Sequence, residues 1–344
     1  MDVWSELRLA YKLRWRRRRY LARAIRKRRE LTPVHVSVPP AKTAHLAFST
    51  IRNEINRLPY WLEHHRALGV DHFLIVDNAS DDGTAEFLAK QSDVSVWRTE
   101  ASYKASRFGV DWLAWLQFKY APGRWALTID ADELFVFPGS DRRRLPDLTR
   151  WMDSKGIGAM AAIMLDMYPE GRLSSVTYKA GENPTKALPC FDADGYTWEQ
   201  QAKYRNISIR GGPRKRIFFA DAPDHAPHLH KTPLIKWARP YVYVSSTHIA
   251  LPRGLNNGFD RRLDRPTGAL LHTKFLPEVI EKSASEKMRA EHFTHPERYG
   301  DYYDRIVEDP ILWHDRSVAY TGPDQLVELG LMYPGTLGQT DGNS

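Results

Sequence analysis

The chain has 344 residues, is 42% hydrophobic and 12% aromatic, and carries 50 Lys+Arg against 42 Asp+Glu, a formal net charge of +8. This excludes a disordered or fibrous chain, and the length suits one large domain or two moderate ones. A single cysteine, Cys190, excludes a disulfide scaffold and any multi-cysteine metal site.

The charge is uneven. Residues 1–29 hold twelve Lys/Arg against Asp2 and Glu6, a net of +10, which leaves 38 basic and 40 acidic residues, or −2, beyond them. No Gly or Pro interrupts residues 1–30, so they are predicted to form a basic amphipathic helical arm. Val3, Leu7, Ala10, Leu13, Tyr20 and Ala24, with Trp4, Tyr11 and Leu21 beside them, recur at spacings of three and four. Such a helix suits an anionic membrane surface. The alternatives are a charged arm that is solvated or packs on the body, and phosphate contacts to nucleic acid. The body has no basic surplus and no motif supporting nucleic acid. No apolar run approaches the ~18 residues of a membrane span, and no apolar signal core is present. The expected setting is cytoplasmic, at most peripheral on the inner face of a membrane.

Residues 31–44 contain Pro33, Pro39 and Pro40 and read as a linker. Strand and helix signals then alternate. LAFST (46–50) is a short apolar strand, and Ile55, Leu58, Leu62 and Leu68 mark a helix with Pro59 in its first turn. HFLIVDN (72–78) is a buried strand, followed by caps at Ser80, Asp81 and Asp82 and a short helix. VSVWRT (94–99), a helix through Trp112 and Leu116, and WALTI (125–129) complete the series. This order predicts an α/β fold with a mostly parallel sheet flanked by helices, binding its ligand at the C-terminal strand ends. Beyond Pro138 a helix over 145–154 and strands at 157–166 and 241–248 are expected, then a helical pattern over 277–306 and a tail over 311–344.

Two acidic segments carry the chemistry. WALTI runs into Asp130-Ala131-Asp132-Glu133, three carboxylates within four residues. Hard oxygen ligands at the end of a buried strand suit Mg2+ or Mn2+ bridging a diphosphate. A capping cluster is the alternative, and uncompensated like charges argue against it. The loop Val76–Thr84 ends the second strand. Asp77 there is the ligand candidate, while Asp81 and Asp82 are better read as caps. Ile51-Arg52-Asn53-Glu54 puts a third polar cluster on the same edge.

Thr50–Glu54, the VDNASDDGT loop and the DADE motif, in this order, resemble a family 2-type glycosyltransferase of the GT-A fold, in the bacterial branch with a late Leu-His-x-Lys-Phe element, present as Leu271–Phe275. The resemblance covers about residues 45–140, with a weaker match over 205–300. It implies a nucleotide-sugar-binding half over 45–140 and an acceptor-binding and catalytic half over 141–310 of the same domain. By this resemblance Arg52, Glu54 and Asp77 line the nucleotide pocket, Asp130 and Asp132 hold the ribose and the divalent metal, and His272 completes the metal shell. Lys274 would neutralise the departing diphosphate.

His272 could equally be a half-buried strand histidine, and His248 is a second candidate ligand. His225, His228 and His230 form an H-x-x-H-x-H pattern on an apparent loop. The acceptor hydroxyl needs a general base, for which Asp192 and Asp194 beside Tyr196 and Trp198 are the candidates, against a plain Asp-Gly turn. Glu133 is another contender. The expected activity is transfer from a nucleotide-diphosphate sugar, with Mn2+ or Mg2+, to a glycan or lipid-linked envelope or exopolysaccharide acceptor, with inversion. The rivals are a sugar-nucleotide nucleotidyltransferase, for which TIRNE lacks a glycine-rich phosphate loop, and a non-catalytic membrane- or nucleic-acid-associated module.

Overall fold

A computed structural model describes residues 3–37, 41–280 and 300–337. The helical pattern expected over 277–306 falls mostly outside them; the described part includes a helix at Gly300–Val307. The fold is a mixed α/β sheet flanked by helices.

In chain order the elements begin with helix α1 (Val3–Lys27), strand β1 (Thr32–His35), β2 (Leu46–Ile51), α2 (Leu58–Leu68), β3 (His72–Asp77) and α3 (Thr84–Ala89). They continue with β4 (Val94–Arg98), α4 (Val110–Tyr120), β5 (Trp125–Thr128), β6 (Glu133–Val136), α5 (Leu145–Ser154) and β7 (Ala159–Asp166). Later come β8 (Cys190–Asp192), the hairpin of β9 (Thr197–Gln201) and β10 (Asn206–Arg210), β11 (His230–Lys236), β12 (Val242–Ser245), β13 (Ile249–Leu251), β14 (Gly268–His272) and β15 (Ser317–Ala319).

Nine strands form the central sheet in the order β1-β4-β3-β2-β5-β11-β7-β14-β6. Six of them (β2, β3, β4, β5, β7 and β14) point the same way; β1, β11 and β6 run against them. β3 and β7 are buried at every residue, which is why their sequences are unbroken apolar runs and not alternating ones. α2, α3 and α5 pack with residues such as Ile75 and Leu127 on one face. α4 covers Phe48, Leu74 and Val76 on the other. The two sequence halves share this one sheet, because β11, β7 and β14 insert between β5 and β6.

Two expectations change. The proposed linker contains β1, which pairs with β4 at the sheet edge. Pro33 is tolerated there because an edge strand need not donate on its outer side. The N-terminal arm is indeed helical, but it packs on the body. Leu13, Tyr20 and Ala24 are buried, and Arg107 lies over the Tyr20 ring with its guanidinium 3.9 Å from the centroid. Arg23 and Arg107 both pair with Asp111, which is fully buried in α4. Trp112 of α4 donates from Nε1 to Glu30 at 2.9 Å. α4 begins after Gly109, whose φ is +75° and whose Cβ position would lie 2.6 Å from the Thr50 hydroxyl oxygen, so glycine is required.

Asp111→Ala should leave two guanidiniums facing a buried site and cost about 3 kcal/mol. Urea denaturation would read this, together with faster tryptic cleavage within α1. Unchanged stability would mean that Asp111 does not hold the helix.

Candidate active site

The site lies where the C-terminal ends of β2, β3, β5, β7 and β14 meet. The ligand-atom separations among Asp130, Asp132 and Glu133 are all within 4.8 Å. Among the described residues, this is the single trio of potential metal-ligating side chains so close together. Their surroundings differ. The Asp130 side chain is half exposed at 50% and that of Asp132 is 26% exposed, whereas Glu133 is fully buried.

Lys231 of β11 explains how these charges coexist. Its Nζ contacts Asp130 Oδ2 at 2.8 Å and also pairs closely with Glu133. Burial alone would lower the lysine's pKa, but the two carboxylates hold it well above the ordinary value. Glu133 Oε2 also accepts from the Asp130 backbone N–H at 3.2 Å, closing the turn on itself. Glu133 is therefore a support for the acidic turn, not an open ligand.

Asp132 is held from the other side. Thr273 donates to its carbonyl from the backbone N–H at 2.7 Å and from the hydroxyl at 3.0 Å, tying the DADE turn to the segment after β14. His272 Nε2 lies 3.1 Å from Asp132 Oδ2, and its Nδ1 lies 2.6 Å from Asp166 Oδ1. Asp166 ends β7, directly beside His272 in the parallel register, and its second oxygen accepts from Arg214 Nε at 2.7 Å. Burial would raise the Asp132 carboxyl, yet His272, with Arg57 and Lys274, holds it well below the usual carboxylate range. Burial would lower His272, and Asp132 and Asp166 raise it. With Nδ1–H given to Asp166, a neutral His272 would aim an Nε2 lone pair at a carboxylate oxygen. The pair is stable only if His272 is protonated or if both atoms face a cation. Asp132 Oδ2 and His272 Nε2 together fit a divalent metal, with Asp130 grouped beside Asp132 in the acidic turn.

Cations gather around Asp132. Arg57 is buried, pairs with Glu54 at 2.8 Å, and keeps a buried Nε without a hydrogen-bond partner. Arg214 likewise keeps a buried, unpartnered Nη2. Lys274 is half-buried; burial, and then the nearby arginines Arg214 and Arg57, lower its pKa against the pull of Asp132 and Asp166. Several positive donors with spare hydrogen-bonding capacity beside an acidic turn suit an anion such as a diphosphate.

The nucleotide-side residues form a laced pair of loops. Asn53 donates from Nδ2 to Asp81 at 2.8 Å and accepts from the Asp81 N–H at 3.0 Å. Asp82 accepts from the backbone N–H groups of Ile55 and Thr84 at 3.1 and 3.0 Å. Both aspartates therefore serve the backbone. Arg52 donates to the Asn78 carbonyl at 3.1 Å. Asp77, fully buried at the end of β3, is different: Oδ2 accepts weakly from Ser80 N–H at 3.3 Å, while Oδ1 is buried with no hydrogen-bond partner. Burial pushes its pKa up. An orphaned carboxylate oxygen of this kind awaits a donor.

Asp192 and Asp194 are close in sequence but not alike. Asp192 is buried, accepts from the Tyr168 hydroxyl, pairs with Arg216 at 3.1 Å and lies 3.4 Å from His314 Nε2. Asp194 is 61% exposed and touches Arg316 at 3.3 Å. Tyr196 donates from its hydroxyl to the Asp192 carbonyl at 2.7 Å and packs on Gly211, where a Cβ would lie 2.4 Å from its ring. Trp198 is exposed on β9, edge-on to Phe259.

The histidine pattern regroups. His225 is exposed. His228, His230 and His248 form the cluster, with ring centroids 5.1, 5.5 and 6.3 Å apart. Burial lowers the pKa values of His230 and His248 to about 2 and about 3; His228, exposed and 2.9 Å from the Ser208 hydroxyl, is lowered to about 4. His248 Nδ1 is 2.7 Å from the His230 carbonyl.

Sequence reasoning missed Lys231, Asp166, Arg214 and Arg57. Asp166 had a usable signal, since it ends an apolar strand just as Asp77 does. The three cations had none.

No protein-family model matches the chain. A rice protein (Oryza sativa subsp. japonica) named a glycosyltransferase family 92 protein is 28% identical over 168 residues, covering 46% of this chain and 25% of that protein. The chain thus spans about a quarter of the length of the curated relative it matches. Among solved structures, S. aureus TarS is 14% identical at TM-score 0.27, over 39% of this chain and 24% of its own. The mannosyltransferase PcManGT from Pyrobaculum calidifontis, in complex with GDP-Man and Mn2+, is 16% identical at TM-score 0.26, over 46% and 44%. A putative glucose-1-phosphate thymidylyltransferase from Bacillus anthracis is 9% identical at TM-score 0.29, over 76% and 83%. Likenesses this loose leave the chemistry to be argued from the site itself.

Lys231→Met keeps the volume and removes the charge, leaving Glu133 buried alone at a cost of about 3 kcal/mol. Glu133 would then be protonated in the folded state at a pH where the unfolded chain is ionised. Stability should fall as pH rises above the unfolded value of about 4.3. Urea midpoints at pH 5 and pH 8 test this; a deficit equal at both would refute the pairing.

Proposed function

We propose that this chain is a metal-dependent glycosyltransferase that takes a nucleotide-diphosphate sugar as donor. The observation that carries the reading is the convergence of Asp132 and His272, each with a ligand atom aimed at the other, inside a ring of Arg57, Lys274 and Arg214. The similarity to a protein named as a glycosyltransferase supports it.

Asp130, Asp132 and His272 would hold Mn2+ or Mg2+, with Asp166 and Arg214 fixing the histidine's tautomer and orientation. The metal would supply Lewis-acid charge neutralisation at the donor diphosphate. Lys274, Arg57 and Arg214 would share that work through the leaving group's oxygens. Arg52 and Glu54 would flank the nucleotide. Asp77 Oδ1 would accept a hydrogen bond from the base, the one common donor component rich in N–H groups. The loop after β2 has no glycine-rich cradle, which disfavours the nucleotidyltransferase reading.

For the general base, we assign the loop of Asp192 and Asp194 with Asp194 preferred, because the Asp192 carboxylate is taken up by Tyr168 and Arg216. Trp198, exposed on β9, would offer a ring for a sugar face. The acceptor would be a glycan or lipid-linked envelope or exopolysaccharide precursor, and the transfer inverting. Such an acceptor fits an enzyme working peripherally at the inner face of a membrane.

Thermal-shift titration with nucleoside diphosphates, with and without Mn2+, tests the donor site. A ligand at a hundred times its Kd should stabilise by about 2.7 kcal/mol. The stabilisation should require Mn2+ and vanish in Asp132→Ala. Asp166→Asn should weaken Mn2+ binding roughly ten- to a hundredfold, read directly by titration. Mn2+-independent binding that survives Asp132→Ala would sink the assignment.

A further inference from the structure

Helix α1 has two apolar faces, and only one is used by the body. At 100° per residue, Leu13, Tyr20 and Ala24 share one side, which is the buried one. Trp4, Leu7, Tyr11 and Trp15 fall within an arc of about 80° on the opposite side. These four are 75%, 57%, 63% and 53% exposed. The Tyr11 and Trp15 rings meet edge-on at 6.3 Å, so the row is continuous. Exposed basic residues flank it: Arg14 on one side, and Arg8, Lys12 and Arg19 on the other. Arg18 extends the row by one turn with its guanidinium 5.4 Å from the Trp15 ring.

We propose that this outward face of α1 docks on an anionic lipid surface. The argument is charge complementarity joined to shape. Large apolar side chains at the centre of the face and arginines at its rim match the acyl boundary and the phosphate layer of a leaflet. A nucleic-acid surface would call for the cations at the centre, where Trp and Leu stand instead. No helix among the described residues is long and apolar enough to cross a membrane, so the contact lies in the interface plane.

The docking also sets an orientation. α1 is clamped to α4 through Asp111, and α4 lies on the sheet that carries the acidic turn. A docked helix therefore holds the catalytic edge at a fixed attitude to the lipid, where a flexible tether would let it tumble. Removing residues 1–30 is a poor probe, because it also strips the cover from α4. The outward residues can be changed without touching that contact.

The test is cosedimentation of the full chain with vesicles of phosphatidylcholine alone or mixed with phosphatidylglycerol. Wild type should pellet with the mixed vesicles and stay in solution with the neutral ones. The variant Trp4→Ser/Leu7→Ser/Tyr11→Ser/Trp15→Ser should lose at least about tenfold in partitioning while keeping the wild-type melting temperature. Arg8→Glu/Lys12→Glu/Arg14→Glu/Arg18→Glu should lose the preference for phosphatidylglycerol. Asp132→Ala should pellet like wild type, which separates this proposal from the reading of the active site. Equal pelleting with both vesicle types, or a serine variant that pellets like wild type, would overturn it. So would a wild-type dimer that the serine changes convert to monomer without vesicle binding, or retention on duplex DNA in the absence of vesicle binding.

Discussion

The acidic turn exists because Lys231 is buried against it. Three carboxylates within four residues at the end of a buried strand repel one another, and Glu133 has no water to relieve its charge. β11 lies beside β5 in the sheet and delivers one ammonium between Glu133 and Asp130. With that charge answered, Glu133 anchors the turn from inside while Asp130 and Asp132 keep oxygens toward solvent. Under the proposed function, this asymmetry of one buried support and two open carboxylates is what would let the turn hold a cation.

β14 supplies the second half of the arrangement. It sits between β7 and β6, with His272 opposite Asp166 on one side and Glu133 on the other. Asp166 and Arg214 leave the imidazole little freedom, so its remaining nitrogen points at Asp132. His272, with Arg57 and Lys274 beside it, depresses the Asp132 carboxyl well below its usual range against the effect of burial. The site thus combines a negative turn with a positive wall. A metal–diphosphate pair has the same two-signed character.

The basic helix is a separate device. Its arginines do not form the site's positive wall; those cations come from the body. α1 is joined to α4 by the pairing of Arg23 with the buried Asp111, and to β12 and β13 by the packing of Leu13 and Tyr20 against Val242 and Leu251, so whatever its outer face touches is mechanically linked to the body.

The strand–helix alternation was legible because parallel strands buried on both faces must be apolar throughout, as in HFLIVD. Asp77, Asp130 and Asp132 stood out because each breaks or follows such a run, and Asp166 could have been found by the same rule. The edge strand at Thr32–His35 was hidden by its proline, and the two apolar faces of α1 merged into one stripe because spacing alone does not separate inward from outward. Lys231, Arg57 and Arg214 carry no local mark. The sequence by itself determined the strand–helix alternation over residues 46–129, the strand-end carboxylates and the segregation of charge into the N-terminal helix, since these follow from short-range pattern and composition. Only the tertiary structure decided which cation answers which carboxylate, that Asp192 is committed to an internal ion pair, and which face of α1 is left to solvent. Those outcomes depend on contacts between residues up to roughly a hundred positions apart or more, such as Lys231 with Asp130 at a separation of 101 and His272 with Asp132 at 140, and short-range pattern does not encode them.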